Sequence, residues 1–210
     1  PWMTPTELVV MNTSSMDFGP TFAPDTNEVF VSQRFTGDAE IYRFTRPTAA
    51  NAFANKTEMA PLNVQAGSEE GEPSLSDDGL VIYFNRYAPD RIFTSTRSNT
   101  QLTDWSVPVL VDTIHPNLAG FHSPDFAGDK RMVVTKDGMI WEATRPTPSS
   151  PWGAPVSLGI AGDVPCMRRD GLELLYEGAV TIGATQSVAI FRRTRASIGD
   201  AFSPEQRLAF

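Results

Sequence analysis

This 210-residue sequence has one cysteine, Cys166, and two histidines, His115 and His122. A single cysteine excludes an internal disulfide framework and any multi-cysteine zinc site. Cys166 stands in Val-Pro-Cys-Met-Arg, where an apolar strand residue is expected, and it reads as a buried structural thiol. Neither histidine lies near a nucleophile elbow or a Gly-x-Ser-x-Gly run, so no Ser-His-Asp hydrolase is credible. The spacing His-x6-His, with Asp125 three residues on, matches no common zinc pattern. A glycine-rich phosphate loop and a dinucleotide fingerprint are also missing. The apolar runs are a handful of residues, far short of the ~20 that cross a bilayer as a helix. There is no basic run, and the net charge of −8 disfavours nucleic acid and anionic lipid while suiting a cationic partner or metal ion.

At 40% apolar and 20% charged, the composition is that of a soluble globular protein. No charged-apolar-small leader is recognisable, and the chain opens on Pro1. That start leads us to expect a processed product or a piece of a longer chain, with the compartment unreadable from it.

Three markers then recur in one phase. An aspartate stands five residues after a proline four times: Pro20 to Asp25, Pro73 to Asp78, Pro124 to Asp129 and Pro165 to Asp170. In the clearest copy, Pro73-Ser-Leu-Ser-Asp-Asp-Gly79, serine and aspartate side chains can bond the turn backbone, and Gly79 can take a positive φ. Aromatic residues at Trp2, Phe53, Trp105, Trp152 and Phe202 are spaced by 51, 52, 47 and 50 residues. Thr-Arg pairs end at Arg46, Arg97, Arg145 and Arg195, seven or eight residues before the next aromatic. A period near 50 points to a propeller or an array.

Each unit reads as strands. The first candidates are 18–23, 73–76, 123–126 and 164–167; the second are 28–33, 80–85, 131–135 and 172–177; the third are 41–45, 92–96, 139–143 and 188–192. A fourth follows the aromatic marker at 7–11, 107–111 and 154–158, with a weaker equivalent at 61–64. Residues 49–60 could hold one or two helical turns, stopped by Pro61. The hairpin joining the second and third strands varies most, from Lys136-Asp137-Gly138 to a long loop at 178–186. Such sheets bury both faces by packing radially, which predicts an all-β propeller of four four-stranded antiparallel blades around a central channel. One domain then spans 1–210, with units at about 2–52, 53–104, 105–151 and 152–201 and a terminal linker at 202–210. Five aromatic linkers serve four turns, so the strand at 7–11 is expected to complete the last blade and remove an exposed edge.

Units of the form Pro-x-x-Ser-x-Asp-Gly, apolar strand, Thr-Arg, then Trp-x-x-Pro resemble the WD-like repeat of TolB-type β-propellers. The likeness covers almost the whole chain and is best at Pro73–Gly79 followed by Trp105 and Pro108. Ser123-Pro124-Asp125 carries the family's Ser-Pro-Asp with three residues inserted before Asp129, Arg168 replaces a serine, and Thr26 stands where glycine is usual. The resemblance implies that Asp25, Asp78, Asp129 and Asp170 are structural turn residues, and that such propellers dock protein partners. It is also what suggests a periplasmic or secreted location.

Residues just before each first strand should approach the channel: Asp17, Glu69, Glu70, Glu72, Phe121, His122 and Asp163. From these, Asp17, Glu70, Glu72, His122 and Asp163 form the candidate ligand or cation rim. It reads first as a solvated acidic rim; oxygen ligands for Ca²⁺ or a carboxylate pair for glycoside chemistry are the alternatives. The four repeated arginines read as intra-blade structural contacts, because a residue copied into every unit makes the same contact each time. No catalytic residue, dedicated metal site or required cofactor is identified. The favoured function is a non-catalytic binding or scaffolding propeller for a protein or peptide. A glycoside hydrolase or lyase, and a structural fragment of a larger propeller, are the alternatives.

Overall fold

The computed structural model describes residues 7–14, 16–34, 37–63, 67–87, 89–100 and 104–208. The fold is all-β: four four-stranded antiparallel sheets, the blades of a β-propeller fold. The first holds β1 (Met16–Phe22), β2 (Glu28–Arg34), β3 (Ala39–Thr45) and β4 (Ala54–Glu58) in that order. The second holds β5 (Glu70–Leu75), β6 (Val81–Arg86), β7 (Arg91–Thr96) and β8 (Val109–Leu110). The third holds β9 (His122–Phe126), β10 (Arg131–Lys136), β11 (Met139–Thr144) and β12 (Val156–Ala161). The fourth holds β13 (Asp163–Met167), β14 (Glu173–Ile182), β15 (Thr185–Thr194) and β16 (Gln206–Arg207). Helix among the described residues is limited to the turn Val111–Ile114 and the 3-10 turn Pro116–Leu118. Among the described residues no helix is long and apolar enough to cross a membrane.

Two compact units divide the chain, one ending at Val111 and the other starting at Asp112. In the first, Phe30 and Ile41 of the first blade pack with Ile82 and Phe84 of the second, and Trp105 meets Phe30 edge-on at 5.9 Å. In the second, Val133 and Ile140 of the third blade pack with Leu174, Tyr176 and Phe191 of the fourth. Alternation along each middle strand sends one set of side chains to each face, so neighbouring sheets close a core between them.

The repeated arginine and aromatic make one contact in every blade. The guanidinium carbon lies 4.2 Å from the ring centre for Arg46 and Phe53, 4.7 Å for Arg97 and Trp105, 4.2 Å for Arg145 and Trp152, and 4.5 Å for Arg195 and Phe202. In each, the arginine Nε also donates to a carbonyl of the preceding turn: Thr26, Gly79, Asp129 and Gly171. Ring, guanidinium and turn thus form one clip across the blade. Two clips reach into the neighbouring blade of their unit, Arg97 to Glu28 and Arg195 to Glu142. Those glutamates pair inside their own blades as well, Glu28 with Arg43 and Glu142 with Arg131, with acid and base exchanged between the second and third strands. The fourth blade keeps the first blade's order in Glu173–Arg192.

Several expectations are corrected. Residues 7–11 form a turn, Met11 N–H donating to Leu8, and the fourth blade is completed by β16. Trp2 lies outside the described residues. Residues 54–58 are a strand rather than helix, because the open edge of β3 offers ladder hydrogen bonds that outweigh the helix preference of alanine and lysine. It replaces the strand expected at 61–64. The supposed loop at 178–186 is the distal half of the longest hairpin, paired through Ile182↔Thr185 around a two-residue turn with Gly183 at φ +63°. Cys166 is exposed: Pro165 and Met167 take the inward positions of β13, so strand alternation turns the thiol outward. The nearby Asp125 carboxylate pushes that thiol up to about 12.

Candidate functional site

Every first strand is broken at the residue before its proline. Gly19, Glu72, Ser123 and Val164 all have positive φ, at 59°, 52°, 50° and 45°. The strand register shifts at each of these residues. Proline removes a ladder donor and restricts its predecessor, so a bulge forms there and re-aims the adjacent side chains. Left-handed backbone is costly for non-glycine residues and most so for β-branched Val164. All the acids and the histidine of the predicted rim lie at or within two residues of these bulges.

In the first unit they are bound by the chain's own donors. Asp17 accepts from the Thr13 N–H at 2.6 Å and from the Gln33 amide at 2.9 Å, tying the segment before β1 to β2. Glu69 is paired with Arg34. Glu70 is 1% exposed and accepts from the Ser68 hydroxyl and from Arg86 Nε, both at 2.7 Å. Its burial raises the carboxyl above its ordinary range, against the opposing pull of Ser68 and Arg86. Glu72 is hydrogen-bonded to Tyr87, whose hydroxyl is pushed well up, first by burial and then by that carboxylate. The reading of these acids as a solvated rim is therefore corrected for Glu70, which is an interior ion pair holding β5 to β6.

The second unit gathers its predicted residues. His122 Nδ1 is 3.0 Å from the Ser123 hydroxyl and 3.8 Å from Asp163 Oδ1. The same Oδ1 accepts from Ser123 at 3.4 Å and from the Val164 N–H at 2.8 Å. Directly across the ladder from Asp163 stands Glu177. Burial, and then Asp163, raise the Glu177 carboxyl above its ordinary value. An open cleft of about 560 Å³ adjoins the pair, lined also by Tyr176, Gly178, Val188 and Glu205. Tyr176 and Phe191 stack 5.7 Å apart beneath it, and the Tyr176 hydroxyl donates to Glu205 while accepting from Arg193. Gly162 is required here, since a Cβ would fall 2.5 Å from the Tyr176 ring.

Glu177 and Glu205 escape the sequence reading because neither stands in the turn motif. Glu177 carries a signal in the repeat. Its equivalents across from the residue before each bulge are Ser32, Asn85 and Thr135, all polar and each directly following a run of at least three apolar residues.

A cleft of about 600 Å³ in the first unit is lined by Asp25, Glu28, Arg43, Arg46, Asp77 and Asp78. Its charges are structural. Asp25 accepts from the Asn27 N–H and Asp78 from the Leu80 N–H, each at 2.9 Å, and Glu28 holds two arginines. Asp170 makes the same turn bond to the Leu172 N–H at 2.9 Å, while Asp129 gives its carbonyl to Arg145. No group of three or more potential metal ligands is gathered among the described residues.

No family model and no curated protein sequence matches the chain. Solved structures do match it. TolB from Acinetobacter baumannii superposes with a TM-score of 0.53 at 16% identity over 86% of this chain, which spans only 42% of that protein. The catalytic domain of Coprinopsis cinerea GH62 α-L-arabinofuranosidase gives 0.61 at 14% identity, covering 95% of this chain and 71% of its own. A thermostable family-43 glycoside hydrolase gives 0.58 at 17%, covering 92% and 78%. These likenesses define a propeller fold shared with TolB proteins and with glycoside hydrolases.

Proposed function

We propose that this chain is a non-catalytic binding domain for a protein or peptide, engaged at the cleft of the second unit. The observation carrying this reading is the occupation of the bulge carboxylates by the chain's own donors: Thr13 and Gln33 on Asp17, Ser68 and Arg86 on Glu70, Val164 N–H on Asp163. A general acid or base must turn its proton site to the substrate. These groups instead brace the strands, which suits a rigid docking surface. The likeness to TolB supports the same reading by fold alone.

A second reading is favoured by one feature. Asp163 and Glu177 face each other across β13 and β14. Directly opposed Cβ atoms lie about 4.5–5.5 Å apart, which suits the ~5 Å carboxyl separation of retaining glycosidases. A panel of aryl glycosides, α-L-arabinofuranoside included, separates the two readings. We expect no release of the aryl group above background. Turnover abolished by Glu177→Gln would replace the binding reading with the enzymatic one.

A further inference from the structure

The β14–β15 hairpin outgrows its sheet. β13 stops pairing with β14 at Asp163↔Glu177, so residues 178–182 have no strand on that side among the described residues. On the other side, β16 meets β15 at Phe191 and Arg192, and Leu208 N–H reaches Ile190. Residues 185–189 therefore also lack a neighbouring strand among the described residues. The twelve residues 178–189, Gly-Ala-Val-Thr-Ile-Gly-Ala-Thr-Gln-Ser-Val-Ala, contain no charged residue and no proline. Val188 is 62% exposed. Natural edge strands are normally blunted by charge, proline or cover, because bare edges recruit other strands. This one has no charge or proline and no cover among the described residues, in a chain of net charge −8. The inner edge runs into the cleft, which Gly178 and Ala179 line together with Asp163, Glu177 and Glu205; among the described residues no cationic side chain lines it, and Arg193 pairs with Glu205 alone of these acids.

We infer that an extended basic peptide segment adds as a strand along 178–182, collinear with β13, and places a lysine or arginine against Asp163 and Glu177. The inference rests on the binding reading and names its partner's chemistry. The backbone edge supplies register and the carboxylates supply the choice of side chain, as strand-addition modules divide the work. A second copy of the chain is the weaker occupant, since two copies at −8 repel.

The test is fluorescence anisotropy with four labelled octapeptides: alternating Thr-Lys, alternating Thr-Glu, and two Thr-Lys sequences N-methylated at alternate residues, one for each edge. We expect saturable, salt-sensitive binding of Thr-Lys. Asp163→Asn with Glu177→Gln should weaken it roughly tenfold, and N-methylation of the pairing edge by a similar factor. Val188→Lys, on the exposed hairpin, should weaken it without changing the melting temperature. No Thr-Lys binding, equal binding of Thr-Glu, or indifference to N-methylation overturns the inference. A dimer in sedimentation that Val188→Lys dissociates would give the edge to a second copy and also overturn it. An unbiased peptide array keeps the two claims apart. Ligands that bind independently of the hairpin and the carboxylates would leave the binding reading standing alone, whereas an array without ligands together with Glu177-dependent hydrolysis would remove that reading itself.

Discussion

Truncating Arg97 should show how much of the first unit's stability passes through one clip. The residue is 5% exposed, with Nε donating to the Gly79 carbonyl at 2.8 Å and both terminal nitrogens to Glu28 at 2.9 and 2.7 Å. Its guanidinium also covers Trp105 at 4.7 Å. Arg97→Ala removes these bonds together and leaves a buried carboxylate with one partner fewer. Breaking a buried pair by deleting one member costs about 3–5 kcal/mol. Glu28 keeps Arg43, so we expect the lower end, about 3 kcal/mol, or a melting temperature lower by about 6–12 °C for a domain of this size. Arg46 occupies the equivalent place but is half-buried and bonds the Thr26 and Asn51 carbonyls, so Arg46→Ala should cost about 1 kcal/mol. Urea and thermal denaturation of both variants, with a double-mutant cycle between Arg97 and Glu28, measure the difference. Equal losses at the two sites, or a cycle with no coupling, would refute the claim that the carboxylate distinguishes one clip from the other.

Asp78→Ala should lower stability by about 1 kcal/mol in urea denaturation, because it deletes the bonds to the Leu80 N–H and the Ser76 hydroxyl. Trp152, 1% exposed, should cost about 3–5 kcal/mol on replacement by alanine, read as the shift of the denaturation midpoint. His115 accepts from the Trp152 N–H through Nδ1, and burial, with Arg145 second, lowers its pKa below 6.5. The unfolded chain therefore binds more protons between the two values. Its contribution should be complete above the unfolded pKa and lost as pH falls through the folded one. Melting curves from about pH 8 down to pH 5 should show a slope that His115→Gln reduces; an unchanged slope would place the titration elsewhere.

The blade count and the middle strands were legible because they rest on local chemistry copied four times. Pro-to-Asp turns, Thr-Arg pairs and spaced aromatics each encode one contact, and the repeat marks them as structural. The outer strands were legible in two blades, where 107–111 holds β8 and 154–158 overlaps β12, and not in the other two. β4 is exposed at all five residues and has no apolar alternation to read, and β16 spans two residues. The apolar neighbourhood of Cys166 suggests burial, but strand alternation decides which face a residue takes. Glu70 is the converse: its charge suggests solvent, but Arg86, sixteen residues away and opposite it in the ladder, makes an interior place tolerable.

The candidate site is hardest to see in the sequence because it depends on where the repeat stops repeating. The residue before each bulge is Phe18, Gly71, His122 and Asp163, and its ladder partner is Ser32, Asn85, Thr135 and Glu177. In the first three blades that polar partner is fully buried, whereas Glu177 is half-buried at the cleft. Only the fourth blade opposes two carboxylates there, and directly opposed like charges are destabilising. The chain bears that cost in the blade whose second and third strands also run longest and stay uncharged at their tips. Two departures from the repeat, each unfavourable for a free-standing sheet, meet at one cleft. A strand that arrives with its own backbone groups and a positive charge relieves both.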